Sequence, residues 1–127
     1  MTGPLEAPHF PRPAPIDSYG KGGFRFAGMS HRGSLLCLPS GIWAWPVNDA
    51  AEISEASLAQ VFADTSEIGL FLLGTGVEPA MIEPALRRRF SEAKLTLEVM
   101  RTAHAANTYN ILLGEGRRVA AALIAVD

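Results

Sequence analysis

The sequence predicts one domain of the α/β class, and three patterns support that prediction. Residues 67–73 form a nearly continuous apolar run, which is typical of a strand covered on both faces of a sheet. A helical pattern and a second strand follow this run as far as residue 100, which predicts a right-handed parallel crossover. Residues 24–47 combine short apolar runs with period-two alternation, which predicts an antiparallel meander.

The amino-acid composition limits the classes of protein to which this chain can belong. The chain has 127 residues, of which 48% are apolar and 19% charged, so we expect a globular chain with a single core. Its net charge of -2 and its pI near 5.9 predict no nucleic-acid partner, because nucleic-acid binders usually carry a basic face. Cys37 is the only cysteine, which excludes an internal disulfide, and its apolar neighbours favour a buried side chain over a reactive thiol.

The sequence also predicts where the protein is located in the cell and how the chain divides into an arm and a domain. It shows no signal-peptide or presequence pattern, and no apolar run approaches the roughly 20 residues that span a bilayer. We therefore expect a cytoplasmic protein that does not span a membrane. Residues 1–15 contain five prolines and are expected to form a largely flexible arm, whereas residues 16–127 form the domain.

The first half of the domain reads as strands and one helix. Buried strands are predicted at residues 34–38 and 42–45. Trp43 and Trp45 lie on one face of the second strand by alternation, and we favour core packing over a stacking platform for a base or sugar. A helix is predicted at residues 54–63, where a serine precedes the apolar stripe and can act as its N-cap.

A glycine-rich turn follows the apolar strand at residues 67–73. Gly74-Thr75-Gly76 stands at the carboxyl end of this strand, where ligands usually bind in open α/β sheets. The turn supplies the start of a dinucleotide-binding fingerprint, but Pro79 stands where a third glycine would fall. We therefore favour a tight turn, which remains the best candidate ligand position in the chain.

The last third of the chain continues as helix, strand, helix and strand. Pro84 suits the first position of a helix, and residues 95–100 alternate as a returning strand. Thr102 can cap a helix at residues 103–113, and an apolar strand follows at residues 119–126. A helix of about 11 residues rises about 16 Å, which by itself favours a last strand parallel to the one before it.

Two arginines open that last strand. Glu115 can form an ion pair with Arg117 or Arg118 and so stabilise the turn. Alternatively, an arginine can offer its planar fork of donors to a carboxylate or phosphate. Both interpretations are open from the residues alone.

Several segments, in this order and spacing, resemble the Mth938-like domain family of small α/β proteins of unknown activity. The eukaryotic members of that family include a mitochondrial complex I (NADH dehydrogenase) assembly factor. The resemblance covers about residues 16–125. The segments that carry it are Ile16-x-x-Tyr19-Gly20, Trp45-Pro46-Val47, Leu72-Leu73-Gly74-Thr75-Gly76, Glu98-Val99-Met100-x-Thr102, Thr108-Tyr109-Asn110 and Glu115-Gly116-Arg117.

The resemblance implies a three-layer fold with a central mixed sheet, flanking helices and a smaller N-terminal antiparallel β layer. It also implies that the last strand runs antiparallel to its neighbours, and we adopt this direction over the parallel one. The arginines would then share an edge with the glycine turn and form one cleft. The candidate cleft residues are Gly74, Thr75, Gly76, Thr102, Tyr109, Asn110, Glu115, Arg117 and Arg118.

Two functional hypotheses follow from the resemblance and the residues. The first is a non-enzymatic interaction or assembly factor with a protein partner, either a respiratory-chain or a membrane-associated protein, linked to complex I biogenesis. The second is a small-molecule domain or enzyme that binds an anionic ligand in the cleft between Gly74–Gly76 and Arg117. The family has no established catalytic residues, and we expect no cofactor and no metal.

Overall fold

The structure is a computed structural model that describes residues 8–127. The first three strands after the N-terminal segment form a small antiparallel sheet in the order β1-β2-β3. Their bounds are β1 (Ser18–Gly20), β2 (Gly23–Phe26) and β3 (Met29–Arg32). This sheet is the smaller β layer that the resemblance implies.

A five-stranded sheet forms the centre of the molecule, in the order β5-β4-β8-β6-β7. Strand β8 is antiparallel to β4 and parallel to β6, and β6 is parallel to β7, so the sheet is mixed as predicted. The bounds of its strands are β4 (Ser34–Leu38), β5 (Gly41–Trp45), β6 (Leu70–Gly74), β7 (Thr96–Met100) and β8 (Val119–Leu123).

The predicted meander is divided between the two sheets. Strands β1 to β3 form the small sheet, whereas β4 and β5 pair with each other and β4 continues into the central sheet through β8. The division falls at Gly33, which has a φ of 100° and lets the chain turn from β3 into β4. The meander predicted at residues 24–47 therefore contributes strands to both sheets.

The helices follow the prediction in part. The chain has α1 (Ala59–Phe62), α2 (Pro84–Glu92) and α3 (Thr102–Gly114). Helix α2 begins at Pro84 as predicted. The single helix predicted at residues 54–63 is replaced by a 3-10 turn at Ala56–Leu58 that leads into the short α1. Within residues 8–127, no helix has the length and apolar character that crossing a bilayer requires.

The central sheet is covered on both faces. Alternate residues of β6 point to opposite sides, so Phe71 and Leu73 pack with Phe90 of α2, whereas Leu72 packs with Tyr109 of α3. The small sheet packs on the α3 side through Phe24 and Phe26. These contacts place the layers in the order α1 and α2, central sheet, then α3 with the small sheet.

The two tryptophans of β5 belong to the core. Trp43 and Trp45 are 7% and 2% exposed and pack in the cluster on the α2 side. Each indole also has a hydrogen-bond acceptor, since Trp43 Nε1 donates to Ser40 Oγ and Trp45 Nε1 donates to the Ser57 carbonyl. The predicted core packing is confirmed.

The direction of β8 corrects the expectation drawn from the resemblance. The register pairs Leu70 with Val119 and Gly74 with Leu123, so β8 runs parallel to β6 and is antiparallel only to β4. The physical reason is the length of α3, whose 13 residues rise about 20 Å and carry the chain back across the sheet. The length of the helix therefore predicts the direction of β8 relative to β6 correctly, and the resemblance does not.

The N-terminal arm is in contact with the domain where the structure describes it. The Phe10 carbonyl accepts from Ile42 N at 2.9 Å, and His9 N donates to the Ile42 carbonyl at 2.8 Å. Ala14 and Ile16 are buried in the core on the α3 side. For residues 1–7 the predicted flexible arm lies outside the described residues, whereas residues 9 and 10 are hydrogen-bonded to Ile42 of β5.

Candidate functional site

The end of β6 and the start of α3 meet in a dense set of hydrogen bonds. Thr102 N donates to the Gly76 carbonyl at 2.8 Å, and Gly76 N donates back to Thr102 Oγ1 at 3.0 Å. Thr102 Oγ1 in turn donates to the Ile124 carbonyl at 2.7 Å. Thr102 is fully buried, so its hydroxyl is committed to the protein as both donor and acceptor.

This arrangement corrects the predicted role of Thr102. Helix α3 begins at Thr102 itself, and its N-cap residue is Arg101, whose side chain makes no capping bond. The Thr102 hydroxyl bonds to the turn after β6 and to the end of β8 instead of to the amides of its own helix. Its sequence position predicted a cap, but the packing of three elements around it decided its partner.

Gly74 lets α3 approach the sheet. A Cβ atom at this position would lie 3.0 Å from Thr102 Cα and 3.1 Å from both Ala105 Cβ and Leu123 Cδ2. Such contacts are tighter than ordinary van der Waals packing allows, and the backbone of α3 cannot move away easily. The glycine therefore has a packing role.

Thr75 and Gly76 complete the turn. Thr75 N donates to the Met100 carbonyl at 3.0 Å, and Thr75 Oγ1 donates to the Glu78 carbonyl and accepts from Ala80 N, both at 3.0 Å. Gly76 adopts a φ of 114°, a conformation that glycine takes without strain. These bonds account for the tight turn that we favoured over a dinucleotide site.

A groove of about 470 Å³ runs along this carboxyl edge of the sheet. It is lined by residues 48–50, 75–80 and 124–127. The charged residues in that lining are Asp49, Glu78 and Asp127, all of them acidic. A groove with this charge favours a cationic or apolar partner over an anionic ligand.

Two large apolar side chains stand beside the groove. Val77 is 70% exposed and Met81 is 97% exposed, both in the loop between β6 and α2. The other large apolar residues exposed within the described range are Tyr19 and Ile111. Val77 and Met81 were not among the residues predicted from the sequence, although two apolar residues among the prolines and glutamates of a loop were the available signal.

Tyr109 and Asn110 lie apart from the carboxyl-edge groove. Tyr109 is 1% exposed and packs in the same cluster as Cys37, and burial raises the pKa of its phenol. Asn110 holds the segment before β1, because its Oδ1 accepts from Ile16 N and its Nδ2 donates to the Ile16 carbonyl, each at 2.8 Å. Both residues join α3 to the N-terminal part of the domain.

Cys37 occupies the position that the sequence predicted. It is fully buried, and burial raises the pKa of its thiol to about 12. Nucleophilic cysteines need an accessible thiolate at neutral pH, and this environment provides neither access nor a lowered pKa. The buried interpretation is confirmed.

Glu115, Arg117 and Arg118 lie at the opposite edge of the sheet. The Arg118 carbonyl accepts from Gly69 N at 2.8 Å, at the amino end of β6. Because β6 and β8 run in parallel and Arg118 is level with Gly69, five residues of strand, or about 17 Å, separate the arginines from Gly74. The predicted convergence of all nine cleft residues on one edge is therefore wrong.

The arginines border a different depression. It measures about 480 Å³ and is lined by Thr96, Glu98, Arg117, Arg118 and two residues of the β6 end. Of the two interpretations that the residues left open, the ion pair of Glu115 is not formed, since the one ion pair within residues 8–127 joins Arg89 Nε to Glu55 at 3.0 Å. Over the same range, no group of three or more His, Cys, Asp or Glu side chains is arranged to hold a metal ion.

Comparison with known sequences gives a family match and two informative relatives. Residues 16–124 match the family described as "Protein of unknown function (DUF498/DUF598)". An uncharacterised protein of Rhodobacter capsulatus is 39% identical over 92% of this chain and 89% of its own length. NADH dehydrogenase (ubiquinone) 1 alpha subcomplex assembly factor 3 of Mus musculus is 31% identical over 91% of this chain. The match covers 62% of that factor's length, less than two thirds.

Solved structures share the fold. A crystal structure described as an outer membrane protein from Bartonella henselae has a TM-score of 0.90 at 44% identity, and covers 94% of this chain and 100% of that one. A solution structure of a Bordetella pertussis protein, described as a Mth938-like domain, has a TM-score of 0.77 at 27% identity. The second match covers 88% of this chain and 85% of that one, so the likeness concerns the whole fold.

Proposed function

The chain belongs to the DUF498/DUF598 family of proteins of unknown function and has a Mth938-like fold, and from this premise we propose that it is a non-enzymatic interaction or assembly factor. We propose further that its partner is a respiratory-chain or membrane-associated protein and that its role is linked to the biogenesis of respiratory complex I. The contact surface is the carboxyl edge of the central sheet, with Val77 and Met81 at its centre.

The loop after β6 supports a protein partner. The hydroxyl groups of Thr75 and Thr102 form internal hydrogen bonds, which hold the turn in place. The same turn presents Val77 and Met81 to water at 70% and 97% exposure. Burying apolar surface contributes about 25 cal/mol per Å², and methionine adapts its shape to a partner, so these two side chains suit the centre of an interface.

The charges beside the loop indicate the kind of partner. Asp49, Glu78 and Asp127 line the neighbouring groove. Interfaces commonly combine an apolar centre with a polar rim of complementary charge. A partner surface with an apolar centre and a basic rim would match this edge.

The relatives support the assembly role. The mouse protein that matches 91% of this chain is named an assembly factor of NADH dehydrogenase. The same name is carried by relatives from Bos taurus and Danio rerio, each 32% identical over 86% of this chain. The match covers 62% of the mouse factor. Our proposal for this chain is therefore limited to the role of this one domain, and it does not include functions of the rest of the mouse factor.

Affinity capture of the tagged protein from its native cells tests the proposal. We expect the wild-type protein to recover subunits of a respiratory NADH dehydrogenase. The double variant Val77→Ser/Met81→Ser should lose most of this recovery, since it removes the exposed apolar groups without touching the core. Ile111→Ser is the matched control, because Ile111 is 60% exposed and lies on α3, away from this loop.

Two outcomes of the capture experiment would contradict the proposal. One is the absence of respiratory subunits from a capture in which the wild-type protein is folded and abundant. The other is an equal loss of recovery with Ile111→Ser, which would indicate that any exposed apolar residue matters. Turnover of a small molecule by the purified protein alone would replace the assembly role with an enzymatic one.

The cytoplasmic location is part of the same proposal. The sequence pattern motivates it, whereas one relative with the same fold is described as an outer membrane protein. Fractionation of native cells, with the protein followed by an antibody, distinguishes the two. Recovery in the outer-membrane fraction would overturn the cytoplasmic assignment.

A further inference from the structure

We propose that the outer face of the small sheet binds an extended acidic segment of a partner protein, with carboxylates at alternate positions of that segment. We call this surface the basic face and define it by Ser18, Lys21, Arg25, Ser30 and Arg32. The inference rests on the proposed function, because the segment belongs to a protein partner. It concerns a surface separate from the loop that carries Val77 and Met81.

The strand register places these residues on one side of the sheet. Arg25 pairs with Ser18 of β1 and with Ser30 of β3, so the three side chains form one row. Phe24 and Phe26 on either side of Arg25 are 2% and 1% exposed and face the core. Arg25 therefore points to solvent by alternation, in agreement with its exposure.

The second row makes the surface concave. It consists of Gly20, Gly23 and Arg32, which are paired across the three strands. The two glycines leave the centre without side chains, and a depression of about 570 Å³ results. The Arg32 guanidinium lies over the β1–β2 turn, where its Nη1 is 3.9 Å from the point that a Cβ of Gly22 would occupy.

The basic face concentrates like charges in a chain that is acidic overall. Lys21, Arg25 and Arg32 all line the depression and are exposed. None of them forms an ion pair with a described residue, since the one ion pair in that range joins Arg89 to Glu55. Three exposed cations on one small sheet give this face a local positive potential that attracts an external anion.

The distance between Arg25 and Arg32 fits an extended peptide as the bound partner. Arg25 and Arg32 are diagonal neighbours on adjacent strands, which places their Cα atoms about 7–8 Å apart and their Cβ atoms somewhat closer. Alternate side chains of an extended peptide are about 6.6–6.8 Å apart and lie on the same side. Each guanidinium can therefore meet one carboxylate of an extended segment with its paired donors.

Other anions fit the same surface less well. A single phosphate would fill only a small part of a depression of about 570 Å³. An anionic membrane presents a broad flat surface, whereas this face is concave and the whole chain carries a net charge of -2. An acidic peptide segment satisfies both the shape and the spacing.

Fluorescence anisotropy of a labelled short peptide of alternating glutamate and serine tests the inference with the purified protein. We expect binding at low ionic strength that weakens when salt is raised to about 0.3 M, because salt screens exposed charges. Arg25→Gln/Arg32→Gln should weaken the affinity about tenfold. Ser30→Glu should weaken it as well, because it places a negative charge in the same row without removing an arginine.

Arg87→Gln/Arg88→Gln is the matched control, since it makes the same change of net charge at exposed positions of α2. An equal loss of peptide affinity in this control would overturn the inference, and so would the absence of binding to the wild-type protein. The inference would also be overturned if inorganic phosphate bound more tightly than the peptide, or if phosphatidylserine vesicles bound and the peptide did not displace them. The basic face would then be a site for those anions. If capture of respiratory subunits still depends on Val77 and Met81 while the peptide fails to bind, the proposed function stands and this surface assignment falls.

Discussion

The Thr102 hydroxyl donates a hydrogen bond of 2.7 Å to the Ile124 carbonyl, and this bond joins the first turn of α3 to the end of β8. The same oxygen accepts from Gly76 N at 3.0 Å, so one buried side chain connects three elements of the carboxyl edge. Because water does not reach Thr102, both backbone groups depend on this hydroxyl.

Thr102→Val should destabilise the protein by about 2 kcal/mol. Valine has nearly the same shape but leaves the Gly76 amide and the Ile124 carbonyl without their buried partner, which costs about 1–3 kcal/mol. Urea denaturation followed by circular dichroism measures the loss. Thr108→Val on the same helix is the control, since Thr108 is partly exposed, and equal losses in the two variants would contradict the assigned role.

Gly74→Ala should lower stability by about 1–3 kcal/mol, because its new Cβ would press against α3 and Leu123. Gly114→Ala provides the comparison at the end of the same helix, where an added Cβ meets no heavy atom within 4 Å. The second change should leave stability unchanged or raise it by up to about 1 kcal/mol, since alanine favours the helix. The thermal midpoints of both variants decide between a packing role for Gly74 and a general effect of removing glycine.

Asn110→Ala should release the segment before β1. The substitution removes both hydrogen bonds between the Asn110 side chain and the Ile16 backbone, each 2.8 Å long. We expect faster hydrogen exchange at residue 16 and a stability loss of about 2 kcal/mol. Asn107→Ala should change neither quantity, because Asn107 is exposed on the same helix; unchanged exchange in the Asn110 variant would refute the assignment.

The stability of the fold should fall as pH drops below about 6.5, through His31. Burial lowers the pKa of this imidazole, and the nearby His9 ring, with centroids 4.9 Å apart, lowers it further, whereas the Ser34 carbonyl opposes the shift. Since the folded pKa lies below the unfolded value, the unfolded chain binds the proton first as pH falls, and folding loses free energy until the folded pKa is passed. Urea unfolding should be measured between about pH 7.5, one unit above the unfolded pKa, and about pH 5. The free energy of unfolding should change less with pH in His31→Gln than in the control His104→Gln, whose histidine is exposed.

A wild-type slope in the His31→Gln variant would contradict this account. It would mean that other titrating groups produce the pH dependence. The partners of the imidazole in this test are His9 on the N-terminal segment and the Ser34 carbonyl at the start of β4, so the measurement also reports on the contact between those two parts of the chain.

Local patterns in the sequence determined most of the elements. The second half of the apolar run at residues 67–73 became β6, which extends from Leu70 to Gly74. Pro84 became the first residue of α2, and the two tryptophans of β5 entered the core. These outcomes depend on side-chain periodicity and on the fixed φ of proline, which act within a few residues of the chain. The family resemblance likewise depended on the order and spacing of short segments, and it was confirmed over residues 16–124.

Only the tertiary structure decided which elements became neighbours. The pairing of β8 with β6 placed Arg117 and Gly74 on opposite edges and so separated the residues of the predicted cleft. The packing of α3 on the sheet placed Tyr109 in the core and brought Asn110 into hydrogen-bond contact with Ile16, 94 positions away in the chain. Strand direction and such long-range hydrogen bonds depend on how whole layers pack, and the periodicity of a short segment carries no information about a partner that distant in sequence.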